Sequence, residues 1–149
     1  MATTGSARYP VANYRFRVEI DGIQTAAFQE VTIANSSQDA IEYCEGTDTV
    51  IRKLPGRVKY SNITLKRGIT DSLELFEWRT LVENGDTHKA RRNISIILYD
   101  ESAQFNEIAR WVVYGSWPSK YESSNLNATG NEIAVETLEL QLEKIERSK

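Results

Sequence analysis

Hydrophobic and polar positions alternate with a period of two along most of this chain, and take up a helical period clearly in one place. The run "NYRFRVEI" is the plainest case. Tyr14, Phe16, Val18 and Ile20 point one way and Arg15, Arg17 and Glu19 the other, which predicts a half-buried strand. Asp21–Gly22 closes it as a hairpin turn. A second strand is expected through "AFQEVTIA", followed by a polar, turn-rich stretch around a short "IEY". Next come "VIRKL", Pro55–Gly56 and "RVKYSNITLKR". Pro presets φ at the first central position of a turn and Gly supplies the positive φ of the second, so Leu54–Arg57 reads as a type II turn in a long, projecting hairpin.

The helical period falls in "TDSLELFEWRTLVENG". Leu75, Trp78, Leu81 and Val82 make one stripe, Asp71 with Glu74 resembles a capping box, and Gly85 is a natural stop. Such a helix is about 21 Å long and is expected to cover one side of a sheet. Two later segments, "RNISIILYD" and "IARWVVYGSW", are apolar on both faces, so each is covered twice or lies in an interface. The last segment, "NEIAVETLELQLEKIE", fits a helix through Val135, Leu138, Leu142 and Ile145, or a strand with a one-residue slip at Thr137; the bulged strand is the reading adopted. About seven strands and one helix, without a βαβ rhythm, predict a mainly β fold: a β-sandwich or open barrel with a flanking helix and a projecting hairpin. Residues 1–12 read as a flexible arm and 13–149 as a single domain.

Composition narrows the function classes. At 149 residues the chain can bury one ordinary core. It lacks an apolar run of membrane-spanning length and a signal-peptide core, so cytoplasmic synthesis and no membrane insertion by the monomer are expected. Cys44 and His88 are the sole Cys and His, too few for a usual zinc site and without a flanking motif for a nucleophile–base pair. Nucleotide-binding glycine loops and the nucleophile elbow are missing. No catalytic residue, cofactor or metal is therefore assigned.

Charge raises one alternative. The net charge is −3, yet 51–68 holds Arg52, Lys53, Arg57, Lys59, Lys66 and Arg67 without one acidic residue. A small β-barrel binding nucleic acid through the basic 52–67 hairpin would use such a run, although a pI near 5.3 is unlike the usual basic domain. Self-assembly is the competing explanation. The basic stretch and the acidic one from Glu132 to Glu146 offer opposite signs to two copies of one chain, and open sheet edges favour association.

The succession "YRFRVEIDG", "AAFQEVTI", "IEYCEGTD", "RKLPGRVKYSNITLKRGIT", "LFEWRTLV", "RRNISIILYDE" and "ARWVVYGSWPSKYESSNLNATGNEIAVETLEL" resembles the tail-tube proteins of contractile phages and of phage-tail-like contractile injection systems. The resemblance runs from Tyr9 over nearly the whole chain. It implies a structural subunit whose hexameric rings stack into a rigid hollow tube inside a contractile sheath, with cargo effector or DNA in the lumen. The implied partners are further copies of itself, a sheath protein, and baseplate and tube-terminating proteins, and the implied location is the assembled particle. Carried onto this sequence, the hairpin residues Arg52, Lys53, Leu54, Pro55, Gly56, Arg57 and Lys59 should reach a neighbouring subunit. The helix from Asp71 to Asn84 should face the sheath with Glu74, Glu77, Arg79 and Glu83. Arg15, Arg17, Glu19, Glu132 and Glu136 are the candidates for the lumen or an acidic interface.

Overall fold

The computed structural model describes residues 15–21, 23–26, 28–47, 49–100, 106–130 and 133–149. The expected arm at 1–12, Tyr14, the turn residue Gly22 and Glu132 lie outside the described residues. The strands are β1 (Phe16–Ile20), β2 (Ile23–Ala26), β3 (Glu30–Thr32), β4 (Ser36–Tyr43), β5 (Arg52–Tyr60), β6 (Ile63–Gly68), β7 (Arg92–Tyr99), β8 (Glu107–Ser123), β9 (Val135–Gln141) and β10 (Lys144–Arg147). Two helices, α1 (Glu74–Glu83) and α2 (Thr87–Ala90), sit between β6 and β7. The fold is mainly β, as the pattern predicts.

β1 buries Val18 and Ile20 and exposes Arg17, and β2 returns beside it antiparallel. Among the described residues, eight strands form one sheet in the order β2-β1-β7-β8-β9-β6-β3, with β10 added alongside β8. β8, 17 residues long, holds this sheet together. Its first half pairs with β7 on one side and β10 on the other; its second half pairs with β9. A straight strand of that length spans roughly 56 Å and could not serve both halves of a curled sheet. It turns at Gly115, whose φ of +62° suits glycine, and the Glu143 side chain occupies the place a Cβ would need, 2.6 Å away. The register shifts again between Pro118 and Lys120, where proline has no N–H to give the ladder.

The ladder between β6 and β9 faces the core with three consecutive rungs. Ile63 opposes Leu140, Leu65 opposes Leu138 and Arg67 opposes Glu136. Arg67 and Glu136 are 3% and 4% exposed, so the third rung is a buried ion pair. Arg67 Nε donates to Glu136 Oε1, and the Tyr121 hydroxyl donates to Glu136 Oε2 at 2.7 Å. The other arm of Arg67 donates to the Ser72 carbonyl at 3.4 Å, fastening the segment that enters α1. Burial, then the bond to Glu136, pushes the Tyr121 phenol up to about 12.

This rung corrects two expectations. β9 alternates without interruption, so there is no slip at Thr137; the apparent slip arises because an inward position is filled by a carboxylate, Glu136, that has a buried cation to meet. The pattern breaks instead at 142–143, and β10 begins a separate pairing with β8. Glu136 is also removed from the lumen or acidic-interface candidates, being enclosed by its own chain.

α1 covers the sheet with Leu75 and Trp78. The Trp78 indole N–H donates to the Ala90 carbonyl at 2.6 Å, and the Arg92 guanidinium lies 5.4 Å from its ring centroid. The capping box does not form: Leu73 is the N-cap, and no side chain caps the helix. The stop is as expected. Gly85 takes φ +82°, its N–H bonds Val82 O, and the Asp86 N–H bonds Leu81 O, the paired bonds of a Schellman cap. α2, a single turn, has no counterpart in the sequence pattern.

Removing one member of the buried pair leaves an uncompensated charge. Arg67→Met is expected to lower unfolding free energy by about 3–5 kcal/mol, and Arg67→Met with Glu136→Leu to recover most of that loss, as read by urea denaturation. The Tyr121 proton adds a second expectation. The folded chain keeps it up to about pH 12, whereas an unfolded tyrosine loses it near 10, so its contribution is present below about pH 10 and lost as pH rises to about 12. Thermal melts in that window should fall more steeply for the wild type than for Tyr121→Phe.

Candidate functional site

β4 and β5 make a two-stranded sheet of their own, outside the main sheet. Every residue of β4 is exposed, as is every residue of β5 except Gly56 and Tyr60. At its base the hairpin is pinned by the Ser61 N–H to Asn35 O at 2.9 Å and the Asn35 N–H to Ser61 Oγ at 2.7 Å. The expected projecting hairpin therefore exists, with different parts. Its connection is 44–51, its first strand is the stretch read as turn-rich, and Pro55–Gly56 is not a turn but the middle of β5.

A bulge explains why Pro and Gly stand inside a strand. Gln38 opposes Val58 and Ala40 opposes Pro55, so Gly56 and Arg57 together face Asp39. A Cβ on Gly56 would lie 2.8 Å from the Asp39 carbonyl oxygen, and the Gln38 side-chain amide donates to Gly56 O at 2.8 Å. β4 escaped notice in the sequence because nothing in its own chain covers it, so no apolar alternation marks it.

The basic run changes meaning once β4 is paired. Lys59 forms an ion pair with Asp39 at 3.0 Å, and Lys53 stands opposite Glu42. Further along, Lys66 pairs with Glu30 at 3.6 Å and Arg67 with buried Glu136. Residues 36–60 carry Arg52, Lys53, Arg57 and Lys59 against Asp39, Glu42, Glu45 and Asp48, which balance. The formal charges of the hairpin cancel and three of the six basic residues are held in ion pairs within the chain, so the stretch is not the uniformly basic surface that a nucleic-acid interface uses. What the hairpin does present is apolar. Ile41 opposes Leu54 on one face with both about half exposed, Tyr43 follows on that face, and Val50 and Ile51 lie exposed in the connection.

The other predicted residues occupy two places. On α1, Glu77 and Glu83 are exposed and Glu74 and Arg79 half-buried, with Arg79 3.9 Å from Glu83. On β1, Arg17 and Glu19 share the face opposite Val18 and Ile20 and lie 3.6 Å apart. Arg15, just before β1, donates to the Asp100 carbonyl at 3.4 Å. The same region holds Glu107, whose carboxyl the Arg110 hydrogen bond lowers from its usual value; sequence reading missed this pair because it begins a strand rather than a motif. A cleft of about 570 Å³ lies between β3 and β1–β7–β8, lined by Phe16, Val31, Ile33, Ile96, Leu98 and Trp111, among others. The sheet thus curls without closing. Among the described residues, no cluster of three or more His, Cys, Asp and Glu is placed to hold a metal, and no helix is long and apolar enough to cross a membrane.

The chain belongs to the family described as T4-like virus tail tube protein gp19, whose model matches residues 12–146. It is a structural tube subunit. A chain in the cryo-EM structure of an extracellular contractile injection system, the PVC sheath-tube complex in extended state, is 28% identical with a TM-score of 0.78, covering 94% of this chain and 92% of that one. A chain of the anti-feeding prophage cap (AFP tube terminating cap) is 28% identical with a TM-score of 0.80, covering 100% and 99%. Hcp1 from Flavobacterium johnsoniae, 17% identical with a TM-score of 0.57 over 89% and 94%, shares the fold. No curated protein matches the chain.

Among the described residues, the hairpin contributes none of the core side chains, so it can be damaged alone. Gly56→Val is expected to raise amide exchange throughout β4 and β5 while β6 and β9 stay protected and the melting midpoint barely moves. Loss of protection in β6 as well would contradict an independent hairpin.

Proposed function

We propose that this protein assembles into hexameric rings that stack into the hollow inner tube of a contractile injection system or phage tail, a conduit driven through a target envelope by sheath contraction. The observation that carries this reading is the projecting hairpin, whose apolar residues are exposed on a chain of the tail tube family. Such a surface is costly to leave in water, and a neighbouring subunit is what the family supplies to cover it.

In this reading the hairpin residues Arg52 to Lys59 engage a neighbouring copy, and the outer side of α1, with Glu77 and Glu83, faces the sheath. Arg15, Arg17 and Glu19 line the lumen, where alternating and internally paired charges let cargo effector or DNA slide without strong binding. Baseplate and tube-terminating proteins cap the two ends, in keeping with the sheath-tube and cap assemblies that contain its structural relatives. The protein is made in the bacterial cytoplasm, folds as one domain over 13–149 and is found in the assembled particle. It is a conduit without catalytic residues.

Negative-stain microscopy of the purified protein tests this reading. Six-fold rings, growing into tubes as concentration rises, are expected. A persistent monomer whose affinity for nucleic acid falls steeply with salt would overturn it.

A further inference from the structure

The exposed large apolar side chains fall mainly into two sets, and β6 separates them. The first is the hairpin stripe of Ile41, Leu54 and Tyr43 with Val50 and Ile51 at its far end. The second gathers beyond the opposite end of β6, where β8 ends and β9 begins. Ile69, Leu73, Phe76, Leu126 and Ile133 are all exposed there, Leu126 by 84% and Ile133 by 73%. The backbone draws these residues together. The Ile69 N–H donates to Ala134 O at 3.0 Å, the Ser124 N–H donates to Val135 O at 2.9 Å, and Phe76 packs edge-on against Tyr121 with centroids 5.5 Å apart. Leu126 and Ile133 border a hollow of about 400 Å³ together with Ala128 and Ala134.

The hairpin leaves β6 at its Ile63 end and this corner lies past its Gly68 end, so the base of the hairpin and the corner are roughly 20 Å apart along the strand. Distinct patches at opposite ends of a chain are what a heterologous contact requires; repeated, it builds an open stack instead of a closed dimer. Charge agrees with the pairing. Arg57, which has no ion pair among the described residues, and Lys53 lie in the hairpin strand, whereas Gly68 to Trp78 contains Asp71, Glu74 and Glu77 and no Lys or Arg.

We infer that the hairpin of one copy lays its apolar stripe on the corner formed by Ile69, Leu73, Phe76, Leu126 and Ile133 of the next copy, head-to-tail along β6. This rests on the tube-subunit reading and adds the receptor surface and the chemistry of the contact: apolar burial holds it, and the flanking charges orient it. Because the hairpin's charges are largely matched within the chain, raising the salt should not dissolve the contact.

Cys44, exposed immediately after β4, provides a built-in probe. Leu126→Cys, or Ala128→Cys bordering the same hollow, is assembled into tubes, oxidised and run on a non-reducing gel. A ladder of covalent multimers beyond the dimer is expected, and it should vanish when Cys44→Ser is added. In parallel, Leu54→Asp should raise the protein concentration needed for tube growth by about tenfold or more, and the Arg52→Glu/Lys53→Glu/Arg57→Glu variant by less. Tubes that give no ladder with either cysteine variant would overturn the docking surface while leaving the tube function intact; the hairpin would then meet another partner, such as the sheath. A wild-type chain that forms no rings or tubes would overturn both.

Discussion

The buried rung of Arg67 and Glu136 is the point on which the rest of the molecule turns. A guanidinium and a carboxylate can be taken out of water only if each finds the other and their remaining hydrogen-bonding atoms are also met. Tyr121 and the Ser72 carbonyl complete the set, so one rung ties together β6, β8, β9 and the approach to α1. The rung sets the register of β6 against β9, since a one-residue slip of β9 would turn Glu136 outward, with Leu138 and Leu140, and leave Arg67 buried without its partner. With β6 held in that register, the hairpin is fixed at one end of it and the exposed apolar corner at the other.

Electrostatics and apolar burial divide the work differently from the division that composition implies. The basic residues of 51–68 are conspicuous in the sequence, yet Lys59, Lys66 and Arg67 meet acidic partners on adjacent strands of the same chain. Exposed pairs of this kind contribute only ~0–1 kcal/mol each, so they tune the hairpin more than they stabilise it. The apolar stripe is a different case, because covering it against a neighbour gains about 25 cal/mol per Å² of apolar surface. A tube under axial load repeats each contact many times around and along itself. Modest contacts of that sort add up.

How far each element was legible follows from what covers it. β1, β7, the first half of β8 and α1 pack on the core, and their side chains show the expected alternation or stripe. Gly85 was legible because a helix end needs positive φ there. β4 was missed because every one of its residues is exposed in its own chain, so no face of it had to be apolar throughout. Pro55–Gly56 misled because the same two residues suit a turn and a bulge, and only the strand opposite distinguishes them. Glu136 misled because a carboxylate is ordinarily solvated, and its exception depends on Arg67, far away along the chain. Of the proposed surfaces, the hairpin was legible by its charge and not by its apolar stripe, and the corner around Leu126 and Ile133 was not legible at all. An isolated exposed Leu or Ile carries no signal until the ends of β6, β8 and β9 bring others beside it.

By itself the sequence determined the mainly β class, the covering helix with its glycine stop, and membership of the tube family, because these depend on local periodicity and on residues contiguous in the chain. Tertiary structure alone decided which charges are spent inside the subunit and which surfaces are left over for another copy. The reason is that both questions are about partners. β5 is basic until β4 is laid against it, and Glu136 belongs to the surface until Arg67 draws it into the core.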